Sequence, residues 1–251
     1  MPSPQNPVRA LVIYAHPEPT SFCAAFKDAA IAVLERAGLT VEVSDLYAER
    51  FDPVGGRRDF VGKADPARFH YQTEQLTAWK NQTFSPEIQR EQERVSRADL
   101  FIFVFPLWWG GVPAILKGWF DRVLAYGFAY ADGRRYEHGY FNGKRGVLAI
   151  STGGTEHLFS EGGSYGPVSS VLHGVQHCML EYLGLETAQP FVAYATPRVS
   201  EEQRTQFLRE WQERLVDIAT DPDWVESLRR PNVARGAMGA PVVGGEWAKM
   251  K

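Results

Sequence analysis

Three loops in this sequence carry side chains suited to holding a ligand. The first covers residues 16–22, H-P-E-P-T-S-F, where an apolar run gives way to an amphipathic stretch. A helix capped by Thr20 or Ser21 would direct its free backbone amides into this loop, and the two hydroxyls and the His16 ring add donors. Such a set at the positive end of a helix suits a phosphate group, although a plain helix cap would use the same residues.

The second loop covers residues 106–113, P-L-W-W-G-G-V-P. Adjacent Trp108 and Trp109 cannot both point into one core, so at least one of them faces a ligand or a partner chain. Gly110 and Gly111 would let the backbone approach a flat ring closely. Packing at an interface without any ligand would account for the same residues.

The third loop begins with residues 151–154, S-T-G-G, and stays rich in glycine as far as Gly166. Its hydroxyls and flexible backbone amides could bind the polar edge of a ring, although a simple flexible loop has the same composition. Taken together, the three loops outline one pocket for a polyanion and one slot for a flat aromatic group. A flavin nucleotide meets both demands.

The elements around these loops predict one α/β sheet. Apolar runs predict five strands, at residues 8–15, 41–46, 100–105, 146–150 and 185–194, the last interrupted by Pro190. Helical patterns alternate with them, at residues 20–38, 86–98, 113–123, 168–183 and 201–219. This alternation predicts a doubly wound parallel sheet with helices on both faces, whose ligands lie beyond the carboxyl ends of the strands. Residues 51–85 read as an irregular functional excursion, residues 127–144 as a polar insertion rich in Tyr, and residues 220–251 as an extended tail.

Composition excludes several classes of protein. The chain has 251 residues, of which 44% are hydrophobic, and a net charge of -3. It therefore has no surplus of basic residues that would indicate nucleic acid or an anionic membrane as a partner. Its cysteines, Cys23 and Cys178, form no metal or disulfide spacing, so no metal is expected. No apolar run approaches the roughly 20 residues that cross a bilayer, and the N-terminus lacks the order of a signal peptide. We therefore expect a cytoplasmic protein without membrane insertion.

Four stretches of the chain resemble the flavodoxin-like NAD(P)H:quinone oxidoreductases, the DT-diaphorase group. The matching stretches are A-H-P-E-P-T-S-F at residues 15–22, S-D-L-Y at 44–47, F-P-L-W-W-G-G-V-P-A-I-L-K-G-W-F-D-R-V at 105–123 and S-T-G-G at 151–154. The resemblance covers roughly residues 8–220. It implies a flavodoxin-like domain at residues 1–220 with a five-stranded sheet in the order 2-1-3-4-5, and a C-terminal extension at residues 221–251.

The resemblance also implies an activity and an assembly. Members of this group are homodimeric flavoproteins that pass a hydride from NAD(P)H to a quinone in a ping-pong sequence. The excursion at residues 51–85 is typical of members that bind FAD, which favours FAD over FMN. Nicotinamide would stack on the exposed flavin face, and the quinone would then take its place.

Residue roles follow where the sequence matches the group. The flavin diphosphate and ribityl chain would be held by His16, Thr20, Ser21, Phe22 and Ala25. The isoalloxazine would be lined by Pro106, Leu107, Trp108, Trp109 and Gly110. The pyrimidine edge would meet Ser151, Thr152, Gly153 and Gly154. The adenosine end of FAD would lie against Arg204 and Leu208.

The chain departs from the mammalian pattern where a Tyr and a His assist the reduced flavin. The aligned positions hold Phe159, which has no exchangeable proton, and Tyr165, which can donate a hydrogen bond but is a poor general acid. We expect Tyr165, with the amides of Gly153 and Gly154, to stabilise negative charge on the flavin edge. His157 lies close in sequence and could take over this role.

The predicted substrate pocket combines residues from both subunits. It consists of Trp109, Tyr130, Asp132, Phe159 and Tyr165. The resemblance implies that Tyr130 reaches the site of the partner, and Asp132 replaces a Tyr of the group. The changed pocket residues, Gly110, Asp132 and Phe159, leave open an azo, nitro or pathway-specific quinone reductase. A second alternative is a flavin-bearing regulatory subunit of a potassium-efflux system, although such relatives tend to be shorter and to bind FMN.

Overall fold

Parallel strands form one central sheet in the computed structural model, which describes residues 7–229. The strands are β1 (Arg9–Tyr14), β2 (Thr40–Asp45), β3 (Leu100–Pro106), β4 (Arg145–Ser151), β5 (Glu186–Thr187) and β6 (Phe191–Ala193). Their order is β2-β1-β3-β4-β5, and β6 also pairs with β4. The predicted α/β sheet and its strand order are thus confirmed, except at the fifth position.

Two short strands, β5 and β6, occupy the fifth position, so the prediction of five strands is wrong in this detail. Thr187 pairs with Gly146, and Phe191 pairs with Ala149. Between these two pairs the edge segment advances by four residues, whereas β4 advances by three. One extra residue of the edge segment is therefore left unpaired, as in a bulge. Pro190 lies in this gap, where its missing amide proton costs no sheet hydrogen bond.

Helices cover both faces of the sheet. They are α1 (Phe22–Arg36), α2 (Tyr71–Asn81), α3 (Pro86–Arg97), α4 (Ala114–Val123), α5 (Val168–Val175), α6 (Glu201–Thr220) and α7 (Pro222–Arg229). Alternate residues of β1 face the two sides of the sheet, and Leu11 and Ile13 pack into a core with α3, α4 and α5. Ala10 and Val12 pack into a second core with α1 and α6, in which Trp211 is completely buried.

Helix α2 contradicts the expectation that residues 51–85 are irregular. Its caps are unusual, because the His70 ring accepts from the amide of Thr73 and Gln82 ends the helix at a φ of 56°. Its buried positions include the polar residues Glu74 and Gln75, so the apolar periodicity that marks other helices is weak. Gln75 donates to the carbonyl of Asp121 and accepts from the amide of Tyr126, and these bonds fix α2 against the end of α4.

The predicted helix at residues 168–183 is a run of three helical segments. After α5, residues 176–180 form a π-helix and residues 181–183 a 3₁₀ helix. The predicted extension at residues 221–251 lies largely outside the described residues, but its first part forms α7, where Trp224 is buried. Within residues 7–229, no helix is long and apolar enough to cross a membrane.

Candidate active site

A cavity of about 490 Å³ opens at the carboxyl ends of β1, β3, β4 and β6. The size is ordinary for a site that binds a small molecule or cofactor, which typically encloses roughly 300–1,000 Å³. The cavity is lined by His16, Thr20, Ser21, Phe22, Ala25, Pro106, Leu107, Trp108, Ser151, Thr152, Gly153, Thr196, Pro197 and Arg204. All three loops identified in the sequence therefore meet at one site, as parallel strands require of their carboxyl ends.

The first loop turns into α1 through the predicted cap. Ser21 is the N-cap, and its hydroxyl accepts from the amide of Ala24 at 3.1 Å. The carboxylate of Glu18 accepts from both the amide and the hydroxyl of Thr20, at 2.9 and 2.7 Å. These hydrogen bonds lower the pKa of Glu18, so its charge persists beside the loop. A phosphate here would share the Thr20 donors with Glu18 and meet the free amides of α1 directly.

His16 presents a neutral ring to the cavity. Its Nδ1 accepts from the amide of Glu18 at 3.0 Å, so the ring proton is assigned to Nε2. Burial lowers the pKa of His16. The ring is therefore a hydrogen-bond donor at neutral pH rather than a cation, and the ring of Trp108 lies 6.1 Å from it, centroid to centroid.

The second loop is a tight turn that separates its two tryptophans. Trp108 and Gly111 exchange backbone hydrogen bonds of 3.1 and 3.0 Å, and both residues between them have positive φ, 52° at Trp109 and 69° at Gly110. Positive φ at both central positions is typical of a type I′ turn. As a result, Trp108 lines the cavity, whereas Trp109 stands fully exposed and, like Gly110, lies outside the cavity lining.

The third loop follows β4, whose last residue contacts α1. The Ser151 hydroxyl lies 3.0 Å from the Cys23 thiol, and burial raises the pKa of that thiol to about 11. Cys23 is therefore a buried packing residue whose thiol stays protonated at neutral pH. In the loop itself, the amide of Gly154 donates to the Thr152 hydroxyl at 3.1 Å, and Gly154 is not part of the cavity lining.

Phe159 and Tyr165 flank the third loop. A Cβ added to Gly154 would lie 2.7 Å from the Phe159 ring and 3.4 Å from the Tyr165 ring. Phe159 is buried, whereas 57% of Tyr165 is exposed. His157 is exposed on the same segment. Phe159, Tyr165 and His157 thus lie beside the loop but outside the lining of the 490 Å³ cavity.

Tyr130 and Asp132 do not join this site within one chain. Tyr130 lines a separate cavity of about 780 Å³, together with Tyr71, Phe120 and Tyr182. Asp132 pairs with Arg135 at 3.3 Å on the surface. The expected substrate pocket is therefore divided between two regions of the chain.

The last strand supplies two lining residues that the sequence reasoning missed. Thr196 and Pro197 follow β6 and line the cavity beside Arg204, which the sequence did predict. The signal was available, because every strand of a parallel sheet delivers its next loop to the same edge. Leu208, in contrast, packs against the core beneath α1. Among residues 7–229, no three His, Cys, Asp or Glu side chains are grouped so that they could hold a metal ion.

Comparisons with known proteins agree with this fold. A family model described as a flavodoxin-like fold matches residues 8–215. NAD(P)H dehydrogenase (quinone) 1 of Cavia porcellus is 45% identical over 211 residues, covering 84% of this chain and 77% of that protein. A Klebsiella pneumoniae protein provisionally described as a quinone reductase superposes with a TM-score of 0.81 at 39% identity, covering 84% of this chain and 85% of that one. General stress protein 14 of Treponema denticola, in complex with FMN, superposes with a TM-score of 0.56 at 21% identity, covering 88% of this chain and 99% of that one, a likeness of fold alone.

Proposed function

The chain belongs to the family of proteins with the flavodoxin-like fold, and on that premise we propose that it reduces quinones with NAD(P)H through a bound flavin. The observation that carries the proposal is the 490 Å³ cavity, because it gathers the predicted phosphate loop, Trp108 and the S-T-G-G loop at one edge of the sheet. The name of the Cavia porcellus relative, an NAD(P)H dehydrogenase acting on quinone, supports the same reaction at 45% identity.

The donor set of the cavity fits a flavin nucleotide. The first amides of α1 and the neutral His16 ring offer hydrogen bonds to a phosphate, while Pro106, Leu107 and Trp108 offer an apolar wall to a flat ring. A Cβ added to Gly153 would meet no atom within 4 Å, so this position leaves room for a close neighbour. When bound, a flavin accepts a hydride from nicotinamide and passes two electrons to a quinone.

FAD is the proposed form of the flavin. Thr196 and Arg204 also line the cavity, so it holds polar side chains beyond those of the first loop that a single phosphate needs. The FMN-bound relative is only 21% identical, so it carries little weight for this chain. Chromatography of the flavin released by heating purified protein distinguishes the two: FAD is expected, and a stoichiometric amount of FMN would overturn this choice.

A homodimer is the proposed assembly. The indole of Trp109 is fully exposed next to the cavity, and Tyr130 lies in an aromatic groove away from it. Large exposed aromatic side chains are typical of interfaces, and a second copy could bring its Tyr130 to this site. Sedimentation at micromolar concentration is expected to show a dimer. A fully active monomer would overturn the assembly.

An anaerobic titration tests the proposed reaction in two steps. NADPH is added to the FAD-reconstituted protein while the visible absorbance of the flavin is followed, and a quinone is then added. We expect bleaching by NADPH and full recovery with quinone. Bound flavin that neither NADPH nor NADH bleaches would overturn the proposal. If bleaching occurs but azo or nitro compounds restore the colour much faster than quinones do, the acceptor class is different.

A further inference from the structure

A short turn after β6 binds each carbonyl of the loop at residues 152–154. The amide of Thr196 donates to the Thr152 carbonyl at 3.1 Å, and the amide of Ala195 donates to the Gly154 carbonyl at 2.8 Å. The guanidinium of Arg198 donates to the carbonyl between them, that of Gly153. The loop and the turn are therefore joined at three consecutive peptides.

These bonds determine where the loop amides point. No peptide bond within residues 7–229 is cis, and in a trans peptide the carbonyl and the N–H point in opposite directions. Because the carbonyls of Thr152 and Gly153 point at the turn, the amides of Gly153 and Gly154, which belong to the same two peptides, point away from it. The amide of Gly154 meets the Thr152 hydroxyl on that side.

The carbonyl of the peptide between Gly153 and Gly154 is held by the Arg198 side chain, while the N–H of the same peptide meets the Thr152 hydroxyl. Thr152 and Gly154 are held by backbone amides of the turn, whereas Gly153 is held by Arg198. Two adjacent glycines rotate at little steric cost, and an added Cβ at Gly153 would touch no atom within 4 Å. No side chain therefore blocks rotation at the Gly153 end of this peptide, whereas its Gly154 end lies against the rings of Phe159 and Tyr165.

The turn that carries Arg198 is itself well supported. Arg204 on α6 donates to the carbonyls of Val199 and Thr196, at 2.8 and 3.4 Å. Ala195 has a φ of 52°, a conformation that L residues adopt only when their surroundings impose it. The turn therefore provides a rigid base from which an exposed arginine can orient a flexible peptide.

We propose that Arg198 is a positioning residue, whose hydrogen bond to the Gly153 carbonyl holds the Gly153–Gly154 peptide with its N–H on the side of the cavity-lining Thr152 hydroxyl, at the expected flavin edge, and so tunes the flavin's reduction potential. This inference rests on the proposed function, because it concerns the same cavity. Donors held in place before reaction stabilise developing negative charge without reorganisation. Without Arg198 this peptide keeps only the contact of its N–H with the Thr152 hydroxyl. Whenever it rotates, its carbonyl faces the developing charge and the stabilisation is weaker.

The test compares Arg198→Ala and Arg198→Lys with the wild type. Arg209→Ala is the matched control, since Arg209 is an exposed arginine on α6. The midpoint potential of the bound flavin is measured by dithionite titration, and the rate of its reduction by NADPH by stopped flow. For Arg198→Ala we expect a more negative potential and a roughly three- to tenfold slower reduction, the equivalent of about one hydrogen bond. Arg198→Lys should recover part of both, and Arg209→Ala should match the wild type.

A readout without flavin accompanies these measurements. Hydrogen exchange in the flavin-free protein should be faster at residues 152–155 in Arg198→Ala than in the wild type or in Arg209→Ala. An unchanged potential together with unchanged exchange would overturn the inference. Weaker flavin binding at an unchanged potential would also overturn it, because Arg198 would then serve affinity alone.

Failure of the proposed function gives a different result. In that case NADPH does not bleach the wild-type flavin, while the dithionite potential and the exchange rates still report on Arg198. A shifted potential in Arg198→Ala would support the positioning role even then.

Discussion

Arg122 and Asp59 form an ion pair of 2.9 Å in which the two side chains are 2% and 0% exposed. The same guanidinium reaches Glu87 on α3 at 2.7 Å and the backbone carbonyl of Asp52. The other oxygen of Asp59 accepts from the Tyr71 hydroxyl at 2.5 Å. One side chain of α4 thus binds the excursion at residues 51–85 at its beginning, and through Asp59 it also reaches α2.

Arg122→Ala should therefore destabilise the fold strongly. Removing one partner leaves a buried carboxylate unpaired, which typically costs about 3–5 kcal/mol of the free energy of unfolding. The control is Lys117→Ala on the same helix, because Lys117 pairs with Asp121 at side-chain exposures of 54% and 52%. Exposed pairs contribute less than about 1 kcal/mol. Urea unfolding measures both, and equal losses would contradict the role assigned to Arg122.

Gly118→Ala tests the contact between α4 and the start of the excursion. An added Cβ would lie 2.1 Å from the carbonyl oxygen and 2.4 Å from the Cα of Pro53, both backbone atoms. Since backbone cannot swing aside, we expect a loss of about 3 kcal/mol and a melting temperature lower by roughly 6–12 °C. Gly174→Ala in α5 is the control, because a Cβ there meets nothing within 4 Å. It should leave stability unchanged or raise it by up to about 1 kcal/mol. A melting temperature of Gly118→Ala equal to that of Gly174→Ala would show that the excursion is not packed there.

The sequence predicted the parts of the fold that rest on continuous apolar runs. β1, β3 and β4 are buried over nearly their whole length, and the predicted bounds agree within one or two residues. α2 was missed because it is held by buried polar contacts, such as those of Gln75, which leave no apolar periodicity. The split of the fifth strand depends on its pairing with β4, which a single segment does not reveal, although Pro190 marked the place.

The position of the candidate cavity was predictable for a different reason. The loops after β1, β3 and β4 carry unusual residue types, and the topology alone brings them together. Thr196 and Pro197 were missed because the strand before them is short and because their residue types are common. The position of Trp109 depends on the turn between Trp108 and Gly111, whose positive φ values follow from backbone hydrogen bonds rather than from the W-W pair.

Tyr165→Phe tests the predicted role of the phenol in charge stabilisation. We expect reduction of the bound flavin by NADPH to slow by roughly three- to tenfold, with a smaller change in the dissociation constant of FAD, since a hydrogen bond to developing charge is lost. His157→Gln tests the alternative that His157 has this role, because His157 lies exposed on the same segment. If His157→Gln slows stopped-flow reduction and Tyr165→Phe does not, the histidine has the role.

Trp109 combines full exposure with a positive φ, so its side chain and its backbone can be tested separately. Trp109→Gly and Trp109→Ala both remove the indole, but only glycine relieves the left-handed conformation. We therefore expect the glycine variant to be the more stable of the two by about 1 kcal/mol in urea unfolding. Both should lose affinity for flavin or nicotinamide to a similar extent. Unchanged affinity in both variants would assign Trp109 to the subunit interface alone.

His16 gives the stability of the protein a specific pH dependence. Burial lowers the pKa of His16 in the folded chain, so the unfolded chain takes up the proton first as the pH falls. Well above the ordinary value of about 6.5, the ring is neutral in both states and adds no slope. As the pH falls through 6.5, its contribution to the free energy of unfolding is lost. The amide of Glu18 donates to Nδ1, so protonation must also break this bond.

His16→Gln removes this titration and keeps an amide donor in place of the imidazole. The stability of the wild type relative to this variant should therefore be greater at pH 7.5 than at pH 5.5, as measured by urea unfolding of the flavin-free proteins in buffers of equal ionic strength. A difference that is constant with pH, or larger at pH 5.5, would show that the folded chain protonates the ring at pH 5.5 at least as readily as the unfolded chain does. In that case His16 would bind the flavin phosphate as a cation, and flavin affinity would rise as the pH falls.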